Sequence, residues 1–370
     1  MDEASKSVGS LETLQELDFG AQPAGGVGLS LSGGGYRAMV FHLGALRRLN
    51  EAGWLPRFTR VASVSGGSIV AGVLALAWRD LGFGPDGVAS RFDELVEEPL
   101  FRLASTTVDV PAVLLGLLSG GASRRVQGAY DKHLFHGATL QDLPADDVGP
   151  RFILLATNLS NGTLWRFSRP YMRDWHTEAI ENPTLPLAHA VAASSAFPPV
   201  LSPSRLRLPD GRVVTLTDGG VFDNLGLEPV LKRCATLFVS DGGGTFKEQQ
   251  RPPGDWLRGT LRVLSTIDVQ VRRLRRRQVV GALASGQRSG AFWAINSLHA
   301  KFALRASSLP CPEARTEALA AVPTRLTALG IDTQHHIANW GYAVADAALR
   351  TYVDHELPEP VGFPHTGGLG

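Results

Sequence analysis

The stretch Arg60–Trp78, RVASVSGGSIVAGVLALAW, contains the junction that decides the fold. Its first residues, as far as Val64, are small or β-branched as in a buried strand, and its later residues are apolar as in a buried helix. Between the two parts, Ser65 is followed directly by two glycines, without a polar loop. Glycine permits the sharp turn that such a junction needs. The stretch therefore predicts a strand that turns into a helix, with a serine at the apex.

Size and composition favour an ordered domain. The chain has 370 residues, of which 44% are hydrophobic, and its formal net charge is +1. This composition excludes global disorder, and the small charge gives no general attraction to nucleic acid. Two cysteines, Cys234 and Cys311, are too few for a disulfide framework, which suits a reducing compartment. The acidic N-terminus has no apolar signal core, so we expect a cytoplasmic protein.

Two apolar runs raise the question of a membrane span. Val61–Trp78 has no charged residue over 18 positions, which is near the length of a spanning helix. Its serines and glycines, and the strand character of its first residues, favour a buried strand followed by a buried helix. The second run, Val110–Leu118, is too short to span a bilayer. It is predicted to be a core helix, with an interfacial patch as the alternative.

Short β-rich runs alternate with helical patterns along the chain. A helix is predicted from Tyr36, because apolar residues recur at helical spacing as far as Leu49. The strand candidates are Val27–Ser32, Phe58–Val64, Arg151–Thr157, Arg212–Thr217 and Ala235–Ser240. Strands separated by helices predict an α/β fold with a mostly parallel central sheet and helices on both faces.

The same pattern predicts one main domain over residues 27–355. Residues 1–26 are an N-terminal extension, and residues 356–370 are expected to be a flexible C-terminal tail. Residues 82–150 are helical but irregular, with a glycine-rich break. We expect them to form an insertion or a cap on the sheet.

Three glycines, Gly33–Gly35, lie between the first predicted strand and its helix. The N–H groups at such a helix start are unpaired and can hold a phosphate or a developing oxyanion. The stretch lacks the Gly-Lys-Ser/Thr ending of a nucleotide-binding loop and the last glycine of a dinucleotide-binding loop. A nucleotide cofactor is therefore not expected, which leaves an oxyanion site or a packing turn.

Ser65 meets the description of a nucleophile elbow. Such an elbow needs small residues two positions before and after the serine, here Ser63 and Gly67, because strand and helix approach closely. Backbone strain at the apex exposes the serine hydroxyl. Ser68 is a competitor, but it falls inside the predicted helix, where a structural role fits better.

A nucleophilic serine needs a base within hydrogen-bond reach. Asp218 and Asp241 both end a predicted strand and precede glycines. A carboxylate at the end of a strand lies at the same sheet edge as the two glycine corners. The plain alternative for either residue is a helix N-cap or turn aspartate. The sequence spacing does not show which of the two aspartates would be the base.

Four motifs in this order resemble the patatin-like phospholipase family: SLSGGGYR (30–37), SVSGGS (63–68), AVAASSAFPPV (190–200) and DGGVFDN (218–224). The resemblance runs from about Val27 to the region of residues 337–350. It implies the three-layer α/β fold of that family, with residues 27–355 as the catalytic domain. It also implies a lipid acyl hydrolase of the phospholipase A or lysophospholipase type, working through an acyl-enzyme.

The resemblance also assigns roles to residues. Ser65 corresponds to the nucleophile of the family's Ser–Asp dyad. Asp218 corresponds to its proton acceptor, because the family's Asp-Gly-Gly is followed by the Asp-Asn found here at 223–224. The oxyanion hole corresponds to Gly33, Gly34 and Gly35. No cofactor and no metal ion are implied. Two departures, Ser63 in place of a glycine and Ala38 where many members have glycine, remove no functional group.

The arginines have two interpretations each, whereas two further serines have one. Arg37 is predicted to brace the glycine loop, and contact with a lipid phosphate is the alternative. The run Arg272–Arg277 puts five arginines on a predicted helix that either pairs with local carboxylates or attracts anionic headgroups. Ser194 and Ser195 lie in a small-residue helix and are assigned to structure, not to catalysis.

Two other functions remain as alternatives. A Ser-Asp-His esterase acting on small soluble esters is permitted by chain order, because several histidines follow Asp218. These are His299, His335, His336, His355 and His365. A catalytically inactive membrane-binding or scaffold protein is the second alternative. Acyl transfer to an alcohol other than water stays open as well. The expected partner is a lipid or phospholipid substrate, with peripheral membrane contact and without nucleic acid.

Overall fold

A computed structural model describes residues 25–109, 121–199, 201–244, 246, 248–304 and 309–370. Within these residues the centre of the molecule is a ten-stranded sheet. Its strands are β1 (Val27–Leu31), β2 (Arg60–Val64), β3 (Arg151–Asn158), β4 (Thr163–Phe167), β5 (Tyr171–Arg173), β6 (Ile180–Glu181), β7 (Ser204–Arg207), β8 (Val213–Asp218), β9 (Thr236–Asp241) and β10 (Ser289–Ala294).

The sheet has a parallel core and an antiparallel extension. Strands β10, β9, β1, β2 and β3 lie side by side in this order and are parallel. From β3 outward, β4, β5 and β6 pair antiparallel, and β8 pairs antiparallel with both β3 and β7. The predicted α/β fold with a parallel central sheet is confirmed. The five predicted strands correspond to β1, β2, β3, β8 and β9, whereas β4–β7 and β10 were not predicted.

Helices connect the strands. They are α1 (Gly35–Glu51), α2 (Gly66–Ala77), α3 (Glu98–Ala104), α4 (Ala122–Tyr130), α5 (Leu187–Ser194), α6 (Gly220–Asp223), α7 (Glu228–Leu231), α8 (Trp256–Ala284), α9 (Glu313–Ala320) and α10 (Ile331–Tyr352). A π-helical turn, Asp93–Glu97, leads into α3, and another, Asp131–Phe135, continues α4. The described part of the predicted insertion, residues 82–109 and 121–150, contributes to the main core through side chains such as Leu103 and Phe135.

The two faces of the parallel sheet bury different sets of side chains, because successive residues of a strand point to opposite faces. In β9, Phe238 joins a large core with helices α1, α2 and α10. Its neighbours Leu237 and Val239 join a smaller core with α7 and with Val279 of α8. The sheet is therefore the middle of three layers, as predicted.

The C-terminal segment differs from the prediction. Residues 356–370 were expected to be flexible, but they pack on α10 in the structure. The side chain of Asn339 donates from Nδ2 to the backbone carbonyls of His365 (2.9 Å) and Gly368 (2.7 Å), and Leu369 is buried. A buried amide that satisfies the backbone of a glycine-rich segment holds that segment in place despite its composition.

Two predicted segments lie outside the described residues: most of the N-terminal extension (residues 1–24) and the run Val110–Leu118. Val61–Trp78, the other apolar run, forms most of β2 and all of α2, as the sequence predicts. Across the described ranges, none of the helices combines the length and the apolarity that a bilayer crossing requires.

Candidate active site

The register of β3 brings the predicted nucleophile and base together. Strand β2 pairs with β3 as far as Val64, which lies opposite Leu155. Strand β8 arrives from the other direction and pairs with β3 from Ala156, which lies opposite Asp218. Two consecutive residues of β3 thus hold the end of β2 and the end of β8. Ser65 follows Val64 directly, so it emerges beside Asp218.

Ser65 occupies a strained turn between β2 and α2. Its φ of 52° and ψ of −119° lie in a region that non-glycine residues rarely adopt. The turn is tight because α2 starts against the neighbouring backbone. A Cβ at Gly66 would lie 2.2 Å from the carbonyl oxygen of Gly35, and one at Gly67 would lie 2.4 Å from that of Leu31. The backbone at the predicted elbow therefore has the strain and the close contacts that are typical of such a turn, and Ser65 itself is 8% exposed.

A chain of hydrogen bonds between buried serines supports the turn at Ser65. Ser194 of α5 accepts a hydrogen bond from the backbone N–H of Ser65 (3.0 Å) and donates to the carbonyl of Leu155 (2.6 Å). Because this uses the only hydroxyl proton of Ser194, Ser68 donates to Ser194 (2.8 Å), and Ser63 in turn donates to Ser68 (3.0 Å). Ser63, which replaces a glycine of the family motif, is thus satisfied within the same chain.

Asp218 is buried, and one of its oxygens is unengaged. Oδ1 accepts from the backbone N–H of Gly220 (2.7 Å), whereas Oδ2 has no hydrogen-bond partner among the described residues. Burial raises the pKa of Asp218 to about 7, although the Gly220 N–H and the Ser65 hydroxyl act to lower it. Ser65 is therefore near enough to influence the carboxylate without forming a short hydrogen bond. This arrangement is common for catalytic pairs before substrate binds.

The glycine loop lies against Ser65. A Cβ at Gly33 would lie 3.1 Å from Cβ of Ser65. The N–H of Gly33 donates to the carbonyl of Asn224 (3.0 Å), so it is not available to an oxyanion. In the described part of the chain, the N–H groups of Gly34, Gly35 and Gly66 have no acceptor. Two predicted members of the oxyanion hole thus have a free donor, and Gly66, which the sequence analysis did not assign, adds a third candidate.

A buried histidine braces the loop. His42 accepts at Nδ1 from the Ser240 hydroxyl (2.8 Å), and its Nε2 donates to the carbonyl of Ser32 (2.9 Å). Burial lowers the pKa of His42 to about 4, so the ring is neutral at pH 7. The same carbonyl of Ser32 also accepts from the N–H of Gly67 (3.1 Å). This one oxygen therefore connects α1, the glycine loop and the start of α2.

Arg37 is buried rather than facing a ligand. Its guanidinium donates to the carbonyl of Gly242 (3.3 Å from Nε and 3.2 Å from Nη2) and to that of Val322. Burial lowers the pKa of Arg37 to about 10, which leaves the group charged at pH 7. These contacts favour the bracing role over contact with a lipid phosphate.

The rival base is engaged elsewhere. Asp241 accepts from the N–H of Gly243 (2.9 Å) and pairs with Nε of Arg276 (2.6 Å). Burial alone would raise the pKa of Asp241, but Arg276 and Arg272 lower it below its ordinary value. Asp241 thus has the contacts of a structural ion pair. The run of arginines is partly explained by this pair and by Arg275, which lies 3.7 Å from Glu228.

The late histidines have other surroundings. His335 stacks on His365 with ring centroids 4.6 Å apart, His355 contacts the carbonyl of Arg350, and His299 packs on Trp340. No hydrogen bond joins a histidine to Ser65 or Asp218 within the part of the chain that the structure describes.

Two tyrosines near the dyad were missed by the sequence analysis. The hydroxyls of Tyr36 and Tyr130 are buried, and that of Tyr130 lies close to the side chain of Ser195. Burial raises the pKa of Tyr130, and the charge of Asp218 raises it further. Both hydroxyls are protonated at pH 7 and can donate to an oxygen of a bound molecule. The only sequence signal was their position beside glycine or at a helix end, which is too common to identify a site.

The chain is similar to one known protein family and to several solved structures. No curated protein matches the sequence. Among solved structures, VipD from Legionella pneumophila matches with a TM-score of 0.37 and 15% identity, over 89% of this chain and 67% of that chain. Human GIVD cytosolic phospholipase A2 with a methyl γ-linolenyl fluorophosphonate inhibitor and terbium chloride matches with a TM-score of 0.34 and 15% identity, over 59% and 40%. A sequence model described as patatin-like phospholipase matches residues 29–231, which is more than half of the chain. The chain therefore belongs to the patatin-like phospholipase family.

Proposed function

We propose that this chain is a lipid acyl hydrolase of the phospholipase A or lysophospholipase type that works through a Ser65–Asp218 dyad. The observation that carries the proposal is the unengaged Oδ2 of the buried Asp218 beside a strained, apical Ser65. A carboxylate with a pKa of about 7 is a stronger base than an ordinary aspartate, and about half of it is ionised at pH 7.

The first half-reaction forms an acyl-enzyme. Ser65 Oγ attacks the ester carbonyl while its proton passes to Asp218. The negative charge on the carbonyl oxygen is held by the free N–H groups at Gly34 and Gly35, with Gly66 as a third donor. When the tetrahedral intermediate collapses, the ester C–O bond breaks and the alcohol leaves with the proton from Asp218.

The second half-reaction returns the enzyme to its starting state. Water attacks the acyl carbonyl and gives a proton to Asp218, and the same N–H groups hold the new oxyanion. Collapse breaks the bond to Ser65 Oγ, which recovers the proton as the carboxylic acid leaves. An alcohol in place of water would give acyl transfer through identical steps.

The substrate class rests on family membership. A phospholipid or lysophospholipid presents the ester that this site would cleave, and such a substrate resides in a bilayer or micelle. Peripheral contact with a membrane therefore belongs to the proposal. A Ser-Asp-His esterase receives no support from the geometry, because no described histidine is bonded to the dyad.

A fluorophosphonate probe and a short p-nitrophenyl ester test the dyad. We expect the wild type to be labelled at Ser65 and to turn over the ester, whereas Ser65→Ala abolishes both and Asp218→Asn abolishes turnover. Single alanine variants of the late histidines should keep their activity. Retained turnover in Asp218→Asn, or its loss in one histidine variant, would overturn the assignment of the base. Failure of the folded wild type to react would favour a binding or scaffold protein.

A further inference from the structure

One side of helix α8 exposes a stripe of large apolar residues. Trp256, Val263, Ile267 and Leu274 are 82%, 57%, 54% and 59% exposed. They are 7, 4 and 7 residues apart, so a helix with 3.6 residues per turn places them on one side. A soluble protein rarely presents a continuous apolar stripe to water unless something covers it in use.

The same helix is strongly basic. Its sequence contains seven arginines and one aspartate, which gives a net charge of +6 for these 29 residues. Three arginines, Arg272, Arg275 and Arg276, turn inward and bind Gly244, Glu228 and Asp241. Arg273 and Arg277, which flank Leu274 of the stripe in the sequence, are exposed.

Helix α8 lies at the catalytic edge of the sheet. Arg276 binds Asp241, the last residue of β9, and Arg275 approaches Asp223, which follows the catalytic loop by a few residues. Asp268, next to Ile267 of the stripe, is close enough to Asp218 to raise its pKa.

Further exposed apolar side chains lie near the dyad. Phe197 follows Ala196, whose carbonyl accepts from the N–H of Asp218, and Val221 follows Gly220, which donates to the Asp218 carboxylate. Both side chains are exposed. Helix α8 contacts α6, so the apolar stripe and Val221 lie on neighbouring helices close to Asp218.

We propose that the outer face of α8 docks on an anionic lipid bilayer and holds the Ser65–Asp218 site against the membrane. The proposal rests on the lipid hydrolase activity proposed above and names the surface that reaches its substrate. A basic helix with tryptophan and aliphatic residues on its apolar side has the chemistry of an interfacial helix, in which arginines meet acidic headgroups. A second copy of this chain would bring its own exposed Arg273 and Arg277 against those of the first, so the charge favours an anionic lipid surface.

Vesicle flotation tests the surface without relying on catalysis. The experiment uses the full chain with Ser65→Ala, so that no lipid is consumed, and vesicles of phosphatidylcholine with or without phosphatidylglycerol. The apolar variant carries Trp256→Ser, Ile267→Ser and Leu274→Ser, and the charge variant carries Arg273→Glu and Arg277→Glu. The matched control carries Val148→Ser and Arg57→Glu, which are exposed residues just before β3 and β2, at the opposite edge of the sheet.

We expect the parent protein and the control to bind phosphatidylglycerol vesicles, and each α8 variant to bind at least about tenfold more weakly. Binding should also weaken in about 1 M salt, where the Debye length is about 3 Å. Equal binding of the parent and both α8 variants would overturn the proposal. So would absence of binding by the folded parent protein. A parent that is dimeric by light scattering and becomes monomeric in the apolar variant would assign the stripe to a second copy instead.

The proposed function is judged separately from the docking surface. Hydrolysis of the short soluble ester by the wild type needs no vesicle. A protein that cleaves the soluble ester but ignores vesicles refutes only the docking surface, whereas a protein that binds vesicles and cleaves nothing refutes only the hydrolase.

Discussion

The backbone N–H of Ser65 donates to the hydroxyl of Ser194 over 3.0 Å, although 129 positions separate the two residues. Ser194 donates in turn to Leu155, whose position in β3 lies opposite Val64 at the end of β2. One hydroxyl thus ties the strained apex to the strand that also aligns Asp218. Ser194 therefore supports the backbone of the predicted nucleophile directly.

Replacing Ser194 should damage the elbow. We expect Ser194→Ala to leave the Ser65 N–H and the Leu155 carbonyl unsatisfied, which costs about 1–3 kcal/mol for a buried group. Ser195→Ala is the matched control, because Ser195 Oγ donates to Val191 of its own helix and lies beside Tyr130, without a described bond to Ser65 or Leu155. Urea unfolding and ester turnover check both. Equal effects of the two substitutions would contradict the special role of Ser194.

The activity should depend on the ionisation of Asp218. Because burial raises its pKa to about 7, the base is protonated and inactive at lower pH. We expect kcat/KM for a soluble ester to fall about tenfold per pH unit below about 7 and to level off above it. A profile that is flat down to pH 5 would show that another group acts as the base. Labelling at several pH values provides an independent measurement.

Asp218 should also lower stability at alkaline pH. Its pKa rises from 3.8 in the unfolded chain to about 7 in the folded protein, so folding takes up a proton between these values. The contribution of a protonated Asp218 to the stability of the folded protein is fully present below about pH 4 and is lost as the pH rises through 7. Asn is neutral at every pH. We therefore expect Asp218→Asn to be more stable than the wild type at pH 8 by a few kcal/mol, as the size of the Asp218 pKa shift implies. The difference should shrink at pH 5, as thermal or urea unfolding can show.

Replacing Asp241 should reduce stability and leave turnover nearly unchanged, which is the opposite of the effect expected for Asp218. Asp241→Asn breaks a buried pair with Arg276 and is expected to reduce stability by about 3–5 kcal/mol. Its turnover per folded molecule should stay within a few-fold of the wild type, whereas Asp218→Asn should lose at least about 10³-fold. Folded protein is quantified by circular dichroism at low temperature. A larger loss of turnover in Asp241→Asn than in Asp218→Asn would exchange their roles.

The glycine loop should not accept a side chain. Gly35 has a φ of 61°, and a Cβ there would lie 2.5 Å from the carbonyl oxygen of Arg325. We expect Gly35→Ala to displace an oxyanion donor and to lower kcat by about 10²–10³. Gly128→Ala in α4 is the control, because among the described residues no atom outside its own helix backbone lies within 4 Å of the added Cβ. The control should retain its turnover and gain slightly in stability. Wild-type turnover in Gly35→Ala would remove this loop from the mechanism.

The sequence predicts the features of the site that are consecutive in the chain. It does not predict the contacts between residues that are far apart in the chain. The strand, the two glycines and the helix around Ser65 are consecutive, so their pattern is visible in one short window. The choice of Asp218 over Asp241 needed the family motif, because the ion pair between Asp241 and Arg276 depends on where α8 crosses the sheet. Spacing alone contains no information about that crossing.

Other features follow from packing that no local pattern encodes. The C-terminal segment was predicted to be flexible from its glycines, yet Asn339 holds its backbone through two hydrogen bonds. Strand β10 was missed, although Trp293 within it is fully buried. The arginine run of α8 was interpreted either as paired with carboxylates or as facing lipid. The structure shows inward pairs on one side of the helix and exposed arginines on the other.

The pairing of both β2 and β8 with β3 also determines when, during folding, Ser65 and Asp218 come together. Ser65 and Gly35 belong to the first hundred residues, but Asp218 joins them only after β8 has docked on Ala156. Pairing of such distant segments is a slow event in folding, because the intervening chain must close a long loop first. A nascent or partly folded chain would therefore hold a nucleophile without its base. Turnover at Ser65 is in this sense a late marker of correct folding, since it signals that β2 and β8 have both paired with β3.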